Sequence, residues 1–300
     1  MTPNSLFSQP STPFVIALVG GGGKTSTAFW LAQEYKKRGH CVFVSTTTKM
    51  YLPERHQADC FISRADLFNK DKVLSTDKSN NQIDSLPINC SLPLNLESPK
   101  NVMETPLLVS RLQPKKSEPS ITFCYQEIIN ETSATDKKKV AGITPEWIDK
   151  LKNDSPFTVF IIEADGAKCL PIKAPSGHEP CIPLSSDMVI GVTGAEVIHT
   201  QASPERIHRW NVFSALTQCS EGDDMDHRVF SHLIADPQGM FKQAPKHAIK
   251  IWLINKVDLA CSYPTVKQLA ERVITDNQKL DEIWLAAMCD HSPIREIVTR

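Results

Sequence analysis

The residues Gly20-Gly21-Gly22-Gly23-Lys24-Thr25 combine backbone freedom, a fixed positive charge and a hydroxyl within one short stretch. Glycines let a loop turn tightly around an anion with its N–H groups pointing inward, and a following helix adds the partial positive charge of its N-terminus. Lys24 supplies a full charge. Thr25 stands where a hydroxyl ligates Mg²⁺, with Ser26 behind it in the same first turn. That chemistry suits the phosphates of ATP or GTP. The loop needs a strand before it and a helix after it, and the sequence offers both: the apolar run Phe14 to Val19 and a helical stretch from Thr25 to Arg38.

The spacing is the short form G-x-x-G-K-[ST], counted from Gly20, because Leu18 occupies the position where the longer G-x-x-x-x-G-K-[ST] requires glycine. The short form resembles the loop of Mur-type ligases and other compact nucleotide-binding loops. A merely flexible turn would not call for Lys-Thr at the helix start.

A second acidic and apolar stretch, Thr158 to Ile162 running into Glu163-Ala164-Asp165-Gly166-Ala167-Lys168, has the form of a strand delivering carboxylates to the carboxyl end of a parallel sheet, where ligands bind. Glu163 or Asp165 would serve the metal or orient a nucleophile, and the sequence does not decide between them. Thr46-Thr47-Thr48-Lys49-Met50 follows another strand, so Thr47 and its neighbours are candidates to reach a γ-phosphate, although threonines are also ordinary strand residues.

Asn255-Lys256-Val257-Asp258, after the apolar run Ile249 to Ile254, resembles the base-reading N-K-x-D motif of GTPases, in which the aspartate accepts hydrogen bonds that adenine cannot donate. Lys168, Lys173 and His178 lie on a stretch interrupted by Pro171, Pro175, Pro180 and Pro183. Prolines there either hold basic groups over an anion or only route the chain, with His178 and Glu179 as a local hydrogen-bonded pair. Cys169 and Cys181 flank this loop and are expected to be small buried hydrophobes. His208-Arg209 falls in a predicted helix, where Arg209 either reaches a phosphate or makes a surface contact.

Strands are predicted at Phe14 to Val19, Cys41 to Ser45, Thr158 to Ile162, Met188 to Val192, Ile249 to Ile254 and Ile283 to Ala286. Helices are predicted at Thr25 to Arg38, Pro145 to Leu151, Pro204 to Thr217, Asp226 to Ile234 and Thr265 to Thr275. The alternation specifies an α/β fold with a mostly parallel sheet buried on both faces. Residues 1–13 read as a flexible N-terminus and 14–300 as one domain. Within it Asp71 to Ser120, rich in Ser, Asn, Pro and Lys, reads as a partly disordered insertion. Ile121 to Ile129 reads as a return to ordered strand in a small antiparallel element.

The 33 Lys and Arg against 34 Asp and Glu in 300 residues point to neither a nucleic-acid nor a membrane surface. No apolar run reaches membrane-spanning length and the N-terminus lacks a signal-peptide pattern, so a cytoplasmic protein is expected. Nine cysteines without a C-x-x-C pair argue against a disulfide framework or a thiolate zinc site, and place them mostly in the core as thiols.

The glycine loop, the threonine run, Glu163 to Lys168, Pro171 to Pro175, His178-Glu179-Pro180, His208-Arg209 and Asn255 to Asp258, in this order, resemble the YqeC family. The resemblance spans nearly the whole chain outside Asp71 to Ser120. It implies a P-loop NTPase-like fold and an accessory role, described as selenium cofactor biosynthesis, in maturing selenium-dependent molybdenum hydroxylases. Such a hydroxylase, or the proteins that mature its cofactor, would then be partners.

Overall fold

The computed structural model describes residues 13–64, 66, 118–129, 137–260 and 262–300. Most of the predicted insertion, and residues 1–12 of the predicted flexible terminus, lie outside these.

Nine strands form the main sheet: β1 (Phe14–Gly20), β2 (Val42–Thr46), β4 (Cys60–Ser63), β5 (Ile121–Tyr125), β8 (Val159–Glu163), β10 (Met188–Gly194), β12 (Ile249–Asn255), β13 (Glu282–Ala286) and β14 (Ile294–Val298), in the order β14-β13-β12-β10-β1-β8-β2-β5-β4. All neighbours are parallel except β13 and β14. Every residue of β2, β8 and β10 is buried, as strands covered on both faces must be.

Alternation sorts the side chains of β1. Ile16 and Leu18 pack with Leu31 and Tyr35 of α1 (Lys24–Lys37) on one face. On the other face Ala17 and Val19 join a core supplied by α3 (Trp210–Thr217), α4 (His227–Ala235) and α5 (Tyr263–Asp276), while Val15 meets Ile148 and Leu151 of α2 (Pro145–Asp154). The fold is therefore the expected α/β arrangement, consistent with P-loop NTPases, with helices on both faces.

Parallel pairing aligns the carboxyl ends of the motif-bearing strands along one edge. Leu18 and Thr46 both stand beside Glu163, Gly20 beside Val192, and Gly194 beside Asn255. From β1 the chain first builds one side of the sheet through β2, β4 and β5, then returns through β8 and continues on the other side through β10, β12 and β13, a switch of direction of the kind that opens ligand crevices.

The structure corrects several expectations. Ile121–Tyr125 joins the main sheet in parallel between β2 and β4, and only β6 (Glu127–Ile129) enters the small antiparallel sheet, with β3 (Lys49–Tyr51) and β7 (Lys139–Ala141). The helix expected from Pro204 begins only at Trp210, because Ile207–His208 (β11) extends to pair with β9 (Ile172–Lys173) and Arg209 turns left-handed at φ 63°. Of the described cysteines only Cys124 and Cys219 are buried; Cys169 is exposed and Cys181 half-buried. Cys169 sits beside Lys168 in two successive left-handed positions that carry the loop outward.

Candidate functional site

Helix α1 starts where β1 ends. Its N-cap, Gly23, offers no side chain, and the first turn contains no acidic residue. The first-turn amides of Lys24, Thr25 and Ser26 therefore lack both an intrahelical partner and a side-chain cap, the condition in which a helix end receives an anion.

The glycines before it do a different job from the expected one. Gly20 N–H donates to Asp165 Oδ2 at 3.0 Å, Gly21 N–H to the Val192 carbonyl at 2.9 Å and Gly22 N–H to the Leu170 carbonyl at 3.0 Å. These three amides face protein acceptors, so the cradle that stays open is Gly23 with the first turn of α1. Absence of a side chain is required because the loop is pressed onto its neighbours: a Cβ on Gly22, which also has φ 73°, would strike the backbone of Gly194.

Lys24 is buried, with Nζ 2.7 Å from its own loop's Gly20 carbonyl and 3.2 Å from Asp165 Oδ1. It begins a chain of alternating charge. Glu163 lies 3.9 Å from Lys24 on one side; on the other, Asp165 meets Lys173 at 3.1 Å, Lys173 meets Glu179 at 2.7 Å, and Glu179 meets Arg209 at 2.6 Å. Three cations thus alternate with three carboxylates, and Arg209, with 21% of its side chain exposed, is the end that reaches solvent.

Burial by itself would lower the Lys24 pKa, but Asp165 and then Glu163 outweigh it and hold the ammonium charged. For Glu163 burial wins over Lys24 and the Thr25 hydroxyl, and its pKa is raised. Glu179 goes the other way: burial opposes its charge, yet the Arg209 and Lys173 hydrogen bonds bring it down to about 2.

Thr25 Oγ1 donates to Glu163 Oε2 at 2.8 Å. Asp165 Oδ1, though an ion-pair neighbour of Lys24, has no hydrogen-bond donor in line with it, a buried oxygen left short of a partner. Among the described residues no three His, Cys, Asp or Glu converge on a metal position. The structure places Thr25 against Glu163, with Lys24 between Glu163 and Asp165.

The threonine run is held by backbone. Thr46 Oγ1 donates to the Glu163 carbonyl at 2.9 Å and Thr47 Oγ1 to the Cys181 carbonyl at 2.8 Å, which ties β2's end to the proline-rich loop. Asn255, buried, donates from Nδ2 to the Gly22 carbonyl at 2.8 Å and accepts from the amides of Lys256 and Met288. It braces the glycine loop against β12 and β13. Lys256 Nζ pairs with Glu196 at 2.5 Å, and Asp258 is exposed on the turn that follows.

Sequence reasoning missed the partners of Glu179. No His178–Glu179 pair forms: His178 is exposed, its Nδ1 3.4 Å from Ser176 Oγ, while Glu179 turns inward to Lys173 and Arg209. The order lysine, glutamate, arginine over positions 173, 179 and 209 carried no spacing signal, since β9 and β11 join only through tertiary pairing.

A family profile described as YqeC protein matches residues 16–211. The chain belongs to the YqeC family. It is 30% identical over 282 residues to a protein of Escherichia coli (strain K12) named "Uncharacterized protein YqeC", covering 94% of this chain and 90% of that one. No solved structure matches the chain. The matched stretch of this chain includes the glycine loop and the charge chain from Glu163 through Arg209, and ends before the Asn255 motif.

Proposed function

We propose that this protein binds a magnesium nucleoside triphosphate, ATP or GTP, at the start of α1 and hydrolyses it while serving as an accessory factor in maturing selenium-dependent molybdenum hydroxylases. The observation that carries nucleotide binding is the uncapped, acid-free first turn of α1, beside a lysine kept charged by buried carboxylates. The accessory role rests on the family resemblance alone.

In this reading the first-turn amides and Lys24 meet the β- and γ-phosphates, and Lys24 exchanges part of its contact with Asp165 for phosphate oxygen. Thr25, Glu163 and Asp165 hold Mg²⁺, which on binding neutralises charge on the phosphates. Thr47, through its bond to the Cys181 carbonyl, links the end of β2 to the loop that carries Glu179. Asp258, exposed beyond β12, is the candidate for reading guanine.

A thermal-shift screen of ATP, GTP and their diphosphates, with and without Mg²⁺, tests the assignment. Stabilisation is expected from the triphosphates and is larger with Mg²⁺, with GTP ahead of ATP if Asp258 reads the base. Absence of stabilisation by every nucleotide contradicts the proposal.

A further inference from the structure

The far end of the charge chain is a second, more open place for an anion. Arg209 touches Glu179 through Nη1 alone, at 2.6 Å, although a guanidinium carries five N–H donors. Glu179 is fixed in turn by Lys173, which also donates to the Gly166 carbonyl at 2.7 Å. The guanidinium is thereby held in place from one side while its side chain stays partly exposed, a preorganised state in which arginine binds carboxylate or phosphate.

Two other groups lie on the segments that hold it, and Arg209 and Lys168 both act on the charge of His208. His208 stands opposite Lys173 in the β9–β11 pair, immediately before Arg209, and Lys168 is exposed on the turn whose Gly166 carbonyl Lys173 grips. The local field is positive despite Glu179. Burial first, then the charges of Arg209, Lys173 and Lys168, bring the His208 pKa down to about 4, so its imidazole is neutral near pH 7 and can donate or accept a hydrogen bond.

We infer that Arg209, Lys168 and His208 form an oxyanion subsite, separate from the start of α1, which takes the carboxylate or phosphate group of a second substrate. This rests on the nucleotide proposal only for calling that substrate second. Arg209 is a direct ligand there, and Glu179 and Lys173 are positioning residues. The chain through Glu179, Lys173 and Asp165 links Arg209 to Lys24, so the two sites are connected by successive ion pairs.

Inorganic phosphate is the probe, titrated by ³¹P NMR into full-length protein saturated with Mg²⁺ and a non-hydrolysable nucleoside triphosphate. One phosphate per chain should bind, at least tenfold more weakly in Arg209→Gln and in Lys168→Gln. The second substitution is on an exposed side chain and guards against a folding defect in the first. Unchanged binding in both variants, or no binding to the saturated wild type, overturns the subsite. So does an Arg209→Gln variant that loses affinity for the triphosphate analogue but not for the diphosphate, because Arg209 would then serve the nucleotide's own terminal phosphate. Should no nucleotide bind at all, the titration is run on free protein. Retention of phosphate by Lys24→Ala and its loss by Arg209→Gln then uphold the subsite while the nucleotide reading fails, and loss in Lys24→Ala with retention in Arg209→Gln overturns it.

Discussion

Glu163 and Glu179 are both buried carboxylates, yet their surroundings push them in opposite directions, and that difference defines what each can do. Glu163 has one distant cation and a hydroxyl as partners; under the proposed function, substituting Gln should abolish the Mg²⁺-dependent part of nucleotide binding and leave the Mg²⁺-free part, measured by calorimetry in the two conditions. Glu179 is saturated by two cations and acts as structure. Its replacement by Ala leaves Lys173, which is 1% exposed, with Asp165 as its remaining carboxylate partner, and should destabilise the fold by about 2 kcal/mol in urea titration. At this scale the sequence was legible for the placement of Lys24 and Thr25 at the start of a helix, which is local to one turn. It was not legible for Glu179 and Arg209, because residues separated by 30 positions meet through pairing of two strands of two residues each, too short to leave a periodic pattern.

At the scale of elements, strands buried on both faces announce themselves as continuous apolar runs, and all six predicted strands lie in the sheet. β14, at an edge and carrying Arg295 and Glu296, lacks that signature and was missed. The helix expected from Pro204 was misplaced because apolar spacing cannot show the left-handed turn at Arg209. Asn255 shows an element-level role hidden inside a motif: its side chain joins β12 to the glycine loop and to the segment after β13 by one hydrogen bond each. Asn255→Ala leaves the Met288 amide and the Gly22 carbonyl unpaired in the interior and should cost about 3 kcal/mol, read from the urea midpoint. The same change should weaken nucleotide binding, because the loop loses its brace.

For the molecule as a whole, the charge chain makes stability depend on pH in a defined way. His208 has a folded pKa of about 4 against 6.5 for an ordinary histidine, so the unfolded chain binds the extra proton first and stability falls as pH drops from 6.5 towards 4. Glu179, at about 2 against 4.5, contributes stability above pH 4.5 that is lost as pH falls from there towards 2. Melting temperature should therefore decline in two overlapping steps on acidification, and His208→Gln should remove the upper one. Among the described residues no helix is long and apolar enough to cross a membrane. At the start of α1 an uncapped helix end, a buried lysine and the central strand of the sheet coincide. The most direct test is calorimetric titration of magnesium ATP and GTP into the wild type and Lys24→Ala, with circular dichroism showing the variant folded. At least one nucleotide should bind the wild type and bind Lys24→Ala at least tenfold more weakly; equal affinity in the two proteins, or none in the wild type, would contradict the account.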